Sequence, residues 1–79
     1  MKEFIERLVK EIVDRPEEVV VEENLENIRM PLLELRVAKE DMGKVIGKRG
    51  KMIESLRILL AAVAKKHKKE YQLIVVDEE

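Results

Sequence analysis

A chain of 79 residues with a net charge of −1 and no cysteine holds neither disulfides nor thiolate metal sites. Its 46% apolar content, mostly Val, Ile and Leu, argues for a packed core, although a domain this small buries only ~60% of the surface its unfolded chain exposes. Charges throughout MKEFIERLVK exclude a signal peptide and no apolar run approaches the ~20 residues of a membrane span, so a soluble, cytoplasmic protein is expected.

Residues 2–14 place Phe4, Ile5, Leu8, Val9, Ile12 and Val13 at helical spacing, and Pro16 stops that helix. VVVEE at 19–23 is short and β-branched, which predicts a strand, and the polar NLENIR at 24–29 predicts a turn. LLELRVA at 32–38 alternates, with Leu33, Leu35 and Val37 on one face and Glu34 and Arg36 on the other; Pro31 suits the strand's beginning. Residues 40–46 predict a short helix with Met42, Val45 and Ile46 facing inward and Glu40 and Asp41 at its positive end. Residues 51–67 predict a helix ~25 Å long with Ile53, Leu56, Leu60 and Val63 or Ala64 on one stripe. KKHKKE sets cations near its negative end, and YQLIVV at 71–76 is the last strand. The order α-β-β-α-α-β, without repeat or linker, predicts a two-layer α+β domain over residues 1–79, a three-stranded sheet with its helices packed on one face.

Charge is divided along the chain. Residues 1–41 carry seven Lys/Arg and twelve Asp/Glu, a net of −5, whereas residues 42–69 carry nine Lys/Arg and one acid, Glu54, a net of +8. Such asymmetry marks a polyanion partner better than total charge does; the competing reading is a solvated helix face.

The cations surround a break between the two helical stretches, GKRG at 47–50. Gly47 and Gly50 permit positive φ and close backbone approach, and the long helix starts where the loop ends, so its first N–H groups favour a phosphate. Lys48 and Arg49 must point to solvent, where they neutralise a phosphate chain. A P-loop is excluded: Gly43 and Gly47 are one residue too close, Arg49 stands where Ser or Thr would bind magnesium, and no strand precedes the loop. A plain helical corner accounts for one glycine but not for two enclosing only cations.

VIGKRG followed by IESLRILL resembles the GxxG signature of a KH domain, a module that clamps about four nucleotides by their backbone. The helix and strand at 1–24 ahead of a core at 31–77 resemble the type II arrangement. With IVDRPEEVVVEE, LELRVAKEDMGKVIGKRG and LRILLAAVAKKH, nearly the whole chain is similar to the small bacterial single-KH RNA-binding proteins, the KhpA/YlqC-like family. Met52 departs from the small or polar residue expected after the second glycine.

The resemblance implies that single-stranded RNA lies in a narrow groove with Gly47, Lys48, Arg49 and Gly50 on one side. Tyr71–Val76 and Asn24–Arg29 would form the other. With only Phe4 and Tyr71 as aromatics, bases would meet aliphatic side chains rather than a platform of rings. Lys44 and Lys51 flank the loop as phosphate contacts, with solvent as the alternative. Arg57 would reach the RNA backbone or pair with Glu54 three residues before it. Ile53 suits either groove or core, whereas Ile46 suits the core better than a base. His67 reads as solvated, and Glu22–Glu23 and Asp77–Glu79 as strand edge and tail rather than metal ligands. A nucleophile–base pair has almost no candidates, so neither an enzyme nor a cofactor is expected.

The resemblance further implies post-transcriptional regulation or RNA-chaperone work. It implies self-association too, as a homodimer, or pairing with a larger KH-containing protein of the KhpB/Jag type. The alternatives are a protein-interaction KH module that no longer binds RNA, and a single-stranded DNA binder.

Overall fold

The computed structural model describes residues 1–26 and 29–76. Residues 27–28 of the expected turn and the tail acids at 77–79 lie outside them. In chain order the elements are α1 (Lys2–Ile12), β1 (Val20–Asn24), β2 (Leu32–Arg36), α2 (Met42–Ile46), α3 (Lys51–Lys66) and β3 (Gln72–Val75). Single 3-10 turns occupy Pro16–Glu18, Lys39–Asp41 and Lys48–Gly50.

The three strands form one sheet in the order β1-β2-β3. The short connection lets β1 pair antiparallel with β2, opposing Val21 to Leu35 and Glu23 to Leu33. β3 pairs parallel with β2, setting Leu33 beside Leu73, and the two helices between them form the crossover that a parallel pair requires. Strand alternation then decides which face is covered. Val21, Leu33, Leu35 and Leu73 are buried, whereas Val20, Glu22 and Ile74, which point the other way, are exposed. The helices therefore lie on one face, as the sequence predicts. They supply Ile5 and Val9 from α1, Val45 from α2, and Ile53, Leu56 and Leu60 from α3 to a single apolar cluster. Of the two predicted alternatives, Ala64 rather than Val63 completes the buried stripe of α3.

Two local expectations are corrected. The first helix ends at Ile12, because Val13 takes up extended backbone to bury its side chain, and Pro16 opens a 3-10 turn instead. Ile46 does not anchor α2 in the core: it is 37% exposed, since Val45 alone points at the sheet from that single turn. Asp41 stands at the positive helix end, as expected, and has a further role there. It is fully buried, and its Oδ1 and Oδ2 accept the backbone N–H groups of Asp14 (3.1 Å) and Arg15 (3.0 Å). That carboxylate ties the segment after α1 to the start of α2. Two ion pairs at the surface run beside it, Lys44 with Asp14 and Arg15 with Glu40.

Candidate nucleic-acid interface

The glycine loop sits where two helices meet. Gly47 ends α2, its amide donating to the Gly43 carbonyl at 2.8 Å, and takes φ 78°, ψ 174°. Side chains avoid that region of backbone space almost entirely. Arg49 (φ 57°) and Gly50 (φ 74°) follow in the left-handed conformation, and the Gly50 amide donates back to the Gly47 carbonyl at 3.1 Å. Positive φ at both glycines is what the sequence predicts; positive φ at the arginine between them is not, and holding it costs about 1–2 kcal/mol. The fold accepts this cost to throw Lys48 and Arg49 outward, and both are exposed.

No side chain caps the N-terminus of α3 at Gly50. The Gly50 and Lys51 amides turn back to the Gly47 and Lys48 carbonyls, so only the N–H groups after them in the first turn are left to water or an anion, and the helix dipole favours the anion. Met52, at the second position of the helix, is half-buried against the core, and its Cβ and amide lie directly under Gly47. Its size therefore serves the packing beneath the loop.

Charge pairing splits the molecule along the same line as composition. Lys10, Arg15, Arg36 and Lys44 each pair with a carboxylate of the acidic half. Among the described residues, no ion pair engages Lys48, Arg49, Lys51, Lys65, Lys66, Lys68 or Lys69. The cations of the loop and the lysines of α3 thus stand at the surface without an ion-pair partner among the described residues.

The remaining candidates separate. Lys51 is exposed at the helix start, beside the loop. Lys44 is exposed but held by Asp14. Ile46 is on the surface next to Gly47, whereas Ile53 is only 7% exposed and belongs to the core. Arg57 pairs with no acid among the described residues: its Nε donates to the Leu73 carbonyl at 3.1 Å, bridging α3 to the edge strand β3. Leu25 and Arg29, expected with the last strand across the groove from the loop, lie with Tyr71, Ala61, Lys65 and Lys68 around one cavity at the C-terminal end of α3. The reason is topological: β2 and β3 are parallel, so the chain entering β2 lies beside the chain entering β3, where the Gln72 amide donates to the Pro31 carbonyl. The loop lies at the opposite end.

A three-stranded sheet covered on one face by helices, with GxxG opening the long one, defines the KH fold; a helix and strand ahead of the core make it type II. The family model described as KhpA/KhpB, KH domain, matches residues 2–75, and the chain belongs to that family. Curated relatives share this length. The RNA-binding protein KhpA of Chlamydia pneumoniae is 42% identical over 78 residues, covering 99% of both chains. The protein of that name from Clostridium perfringens is 42% identical over 76 residues, covering 96% of this chain and all of its own. That of Borreliella burgdorferi is 41% identical, covering 95% of this chain and 90% of its own. No solved structure matches the chain.

Proposed function

We propose that this chain binds single-stranded RNA, holding about four nucleotides at Gly47–Gly50 and over the adjoining aliphatic surface. It acts by binding rather than catalysis, as a cytoplasmic post-transcriptional regulator or RNA chaperone. The observation that carries this is the conjunction at the loop: two exposed cations without an ion-pair partner among the described residues, one of them, Arg49, on strained backbone, at a helix start that no side chain caps. The family and the names of its relatives, RNA-binding proteins, point the same way. Lys51 and the exposed Ile46 complete the contact surface, and Arg57 holds its edge by fixing β3 to α3.

The test is a titration with a short single-stranded RNA at several salt concentrations, with single-stranded DNA of the same sequence as a second arm. Three or four phosphate contacts predict a log–log slope of roughly −2 to −3. A slope near zero supports the protein-interaction reading instead, and tighter binding of DNA supports the DNA reading.

A second feature favours self-association. Ile58 (63% exposed) and Leu59 (46%) form an apolar ridge on the outer side of α3, next to exposed Ala62. The open face of the sheet also shows Val20 and Ile74, but there Glu22, Glu34 and Arg36 interrupt them. The uninterrupted ridge is the better seat for a second copy, or for the KH domain of a larger partner.

A further inference from the structure

We infer that Asp14 restrains RNA binding: it holds Lys44, the cation on the α2 side of the glycine loop, in an ion pair that keeps it from the strand's phosphates. This inference rests on the RNA reading above.

Four cations stand in or beside the loop, Lys44, Lys48, Arg49 and Lys51, and among the described residues only Lys44 has an ion-pair partner. Lys44 lies on α2 just before Gly47, and its ammonium donates to the Asp14 carboxylate. The two are 30 residues apart in the chain, so the pair joins the acidic half of the sequence to the basic half. Both partners remain at the surface, with 46% of the Lys44 side chain and 74% of the Asp14 side chain exposed, so a phosphate can compete for the lysine.

The pair is held by more than two long side chains meeting at the surface. Asp14 follows α1, where its amide donates to Asp41 Oδ1 at 3.1 Å and the next amide, Arg15, to Oδ2 at 3.0 Å. Asp41 is fully buried and is the residue from which α2 starts. One buried carboxylate therefore fixes the backbone of Asp14 relative to the helix that carries Lys44. Arg15 does not neutralise its neighbour, because its guanidinium is turned to Glu40 (3.2 Å) and Glu18 (3.6 Å). Lys44 is thus the one ion-pair partner of Asp14 among the described residues.

A phosphate that approaches the loop from α2 meets a cation whose charge is already balanced, with an exposed carboxylate beside it. The carboxylate repels the phosphate, and the ammonium stays with its fixed partner. Exposed pairs are individually weak and are screened by salt, so the restraint is modest, up to about fivefold in affinity. The acidic half of the chain thereby tunes the affinity of the basic half without touching Gly47–Gly50.

The experiment titrates a short single-stranded RNA into the wild type, Asp14→Asn, Lys44→Gln, Asp14→Asn/Lys44→Gln and Glu17→Gln at several salt concentrations. Glu17 is an exposed acid of the same segment with no ion-pair partner among the described residues, so its variant removes an equal charge without freeing Lys44. Asp14→Asn should bind about three- to fivefold more tightly at low salt, with a log–log slope steeper by about 0.7, the value of one added phosphate contact on a single strand. Lys44→Gln should keep the wild-type slope, and the double variant should lose the gain. Three results overturn the inference: an Asp14→Asn protein with wild-type affinity and slope, a gain that survives in the double variant, or an equal gain in Glu17→Gln. The first makes the pair a structural tie, and the other two make the effect one of overall charge. Failure of the RNA reading looks different: RNA then binds neither the wild type nor Asp14→Asn, and both proposals fall together.

Discussion

Gly47 and Met52 leave no room for a side chain between them. A Cβ at position 47 would lie 2.6 Å from the Met52 Cβ and 2.7 Å from its amide nitrogen. Nothing lies within 4 Å of a Cβ at Gly50, where only φ is demanding. The two glycines of one motif therefore do different physical work. Gly47→Ala should cost about 3 kcal/mol or more, from strained backbone and collision together, and Gly50→Ala about 1 kcal/mol. Urea unfolding of the two variants measures the difference; equal losses would refute this division.

Asp41 should be the most costly polar residue to remove. Asp41→Ala leaves the Asp14 and Arg15 amides without their acceptors, and a loss of about 2–4 kcal/mol follows. Asp41→Asn keeps one oxygen and should fall between. Lys44→Ala removes only an exposed ion pair and should change stability by less than about 1 kcal/mol. Thermal unfolding of the three variants orders them.

The loop cations should govern affinity and leave the fold alone. Lys48→Asp with Arg49→Asp replaces two exposed charges that form no ion pair among the described residues. RNA binding should be lost, with Tm changed by no more than about 4 °C. A folded double variant that binds RNA as well as wild type would refute the loop assignment.

Assembly gives the fourth prediction. The chain should sediment as a homodimer in equilibrium with monomer, and Ile58→Arg should shift it to monomer while Val20→Arg on the open sheet face does not. The reverse pattern would move the interface to the sheet, and a wild type that stays monomeric at high micromolar concentration would remove it.

Much of this was legible in the chain because local patterns carried it. Alternation of Leu33 and Leu35 fixed the inner face of β2, and the spacing of Ile53, Leu56 and Leu60 fixed the buried side of α3. Two glycines around two cations marked the loop. The bridging role of Asp41 was not legible because its partners are backbone amides 26 and 27 residues away, and no side-chain pattern announces a backbone donor. Ile46 was misplaced because one helical turn has room for a single inward residue, which Val45 takes. The cavity at the far end of α3 was legible only in part because its walls come from two distant segments, the approach to β2 and the end of α3 running into β3, brought together by parallel pairing of β2 with β3.

That parallel pairing has a consequence for how the molecule folds. Leu33 meets Leu73 only after the whole helical pair has been laid over the sheet, so loop-closure entropy is met before the contact rewards it. The contacts between α2 and α3 across the glycine loop are short-range and need no such closure. The helical pair is therefore expected to form early in the folding reaction and the edge strand to dock last. Substitutions at Leu73 should speed unfolding more than they slow folding, whereas Leu56→Ala should do the opposite.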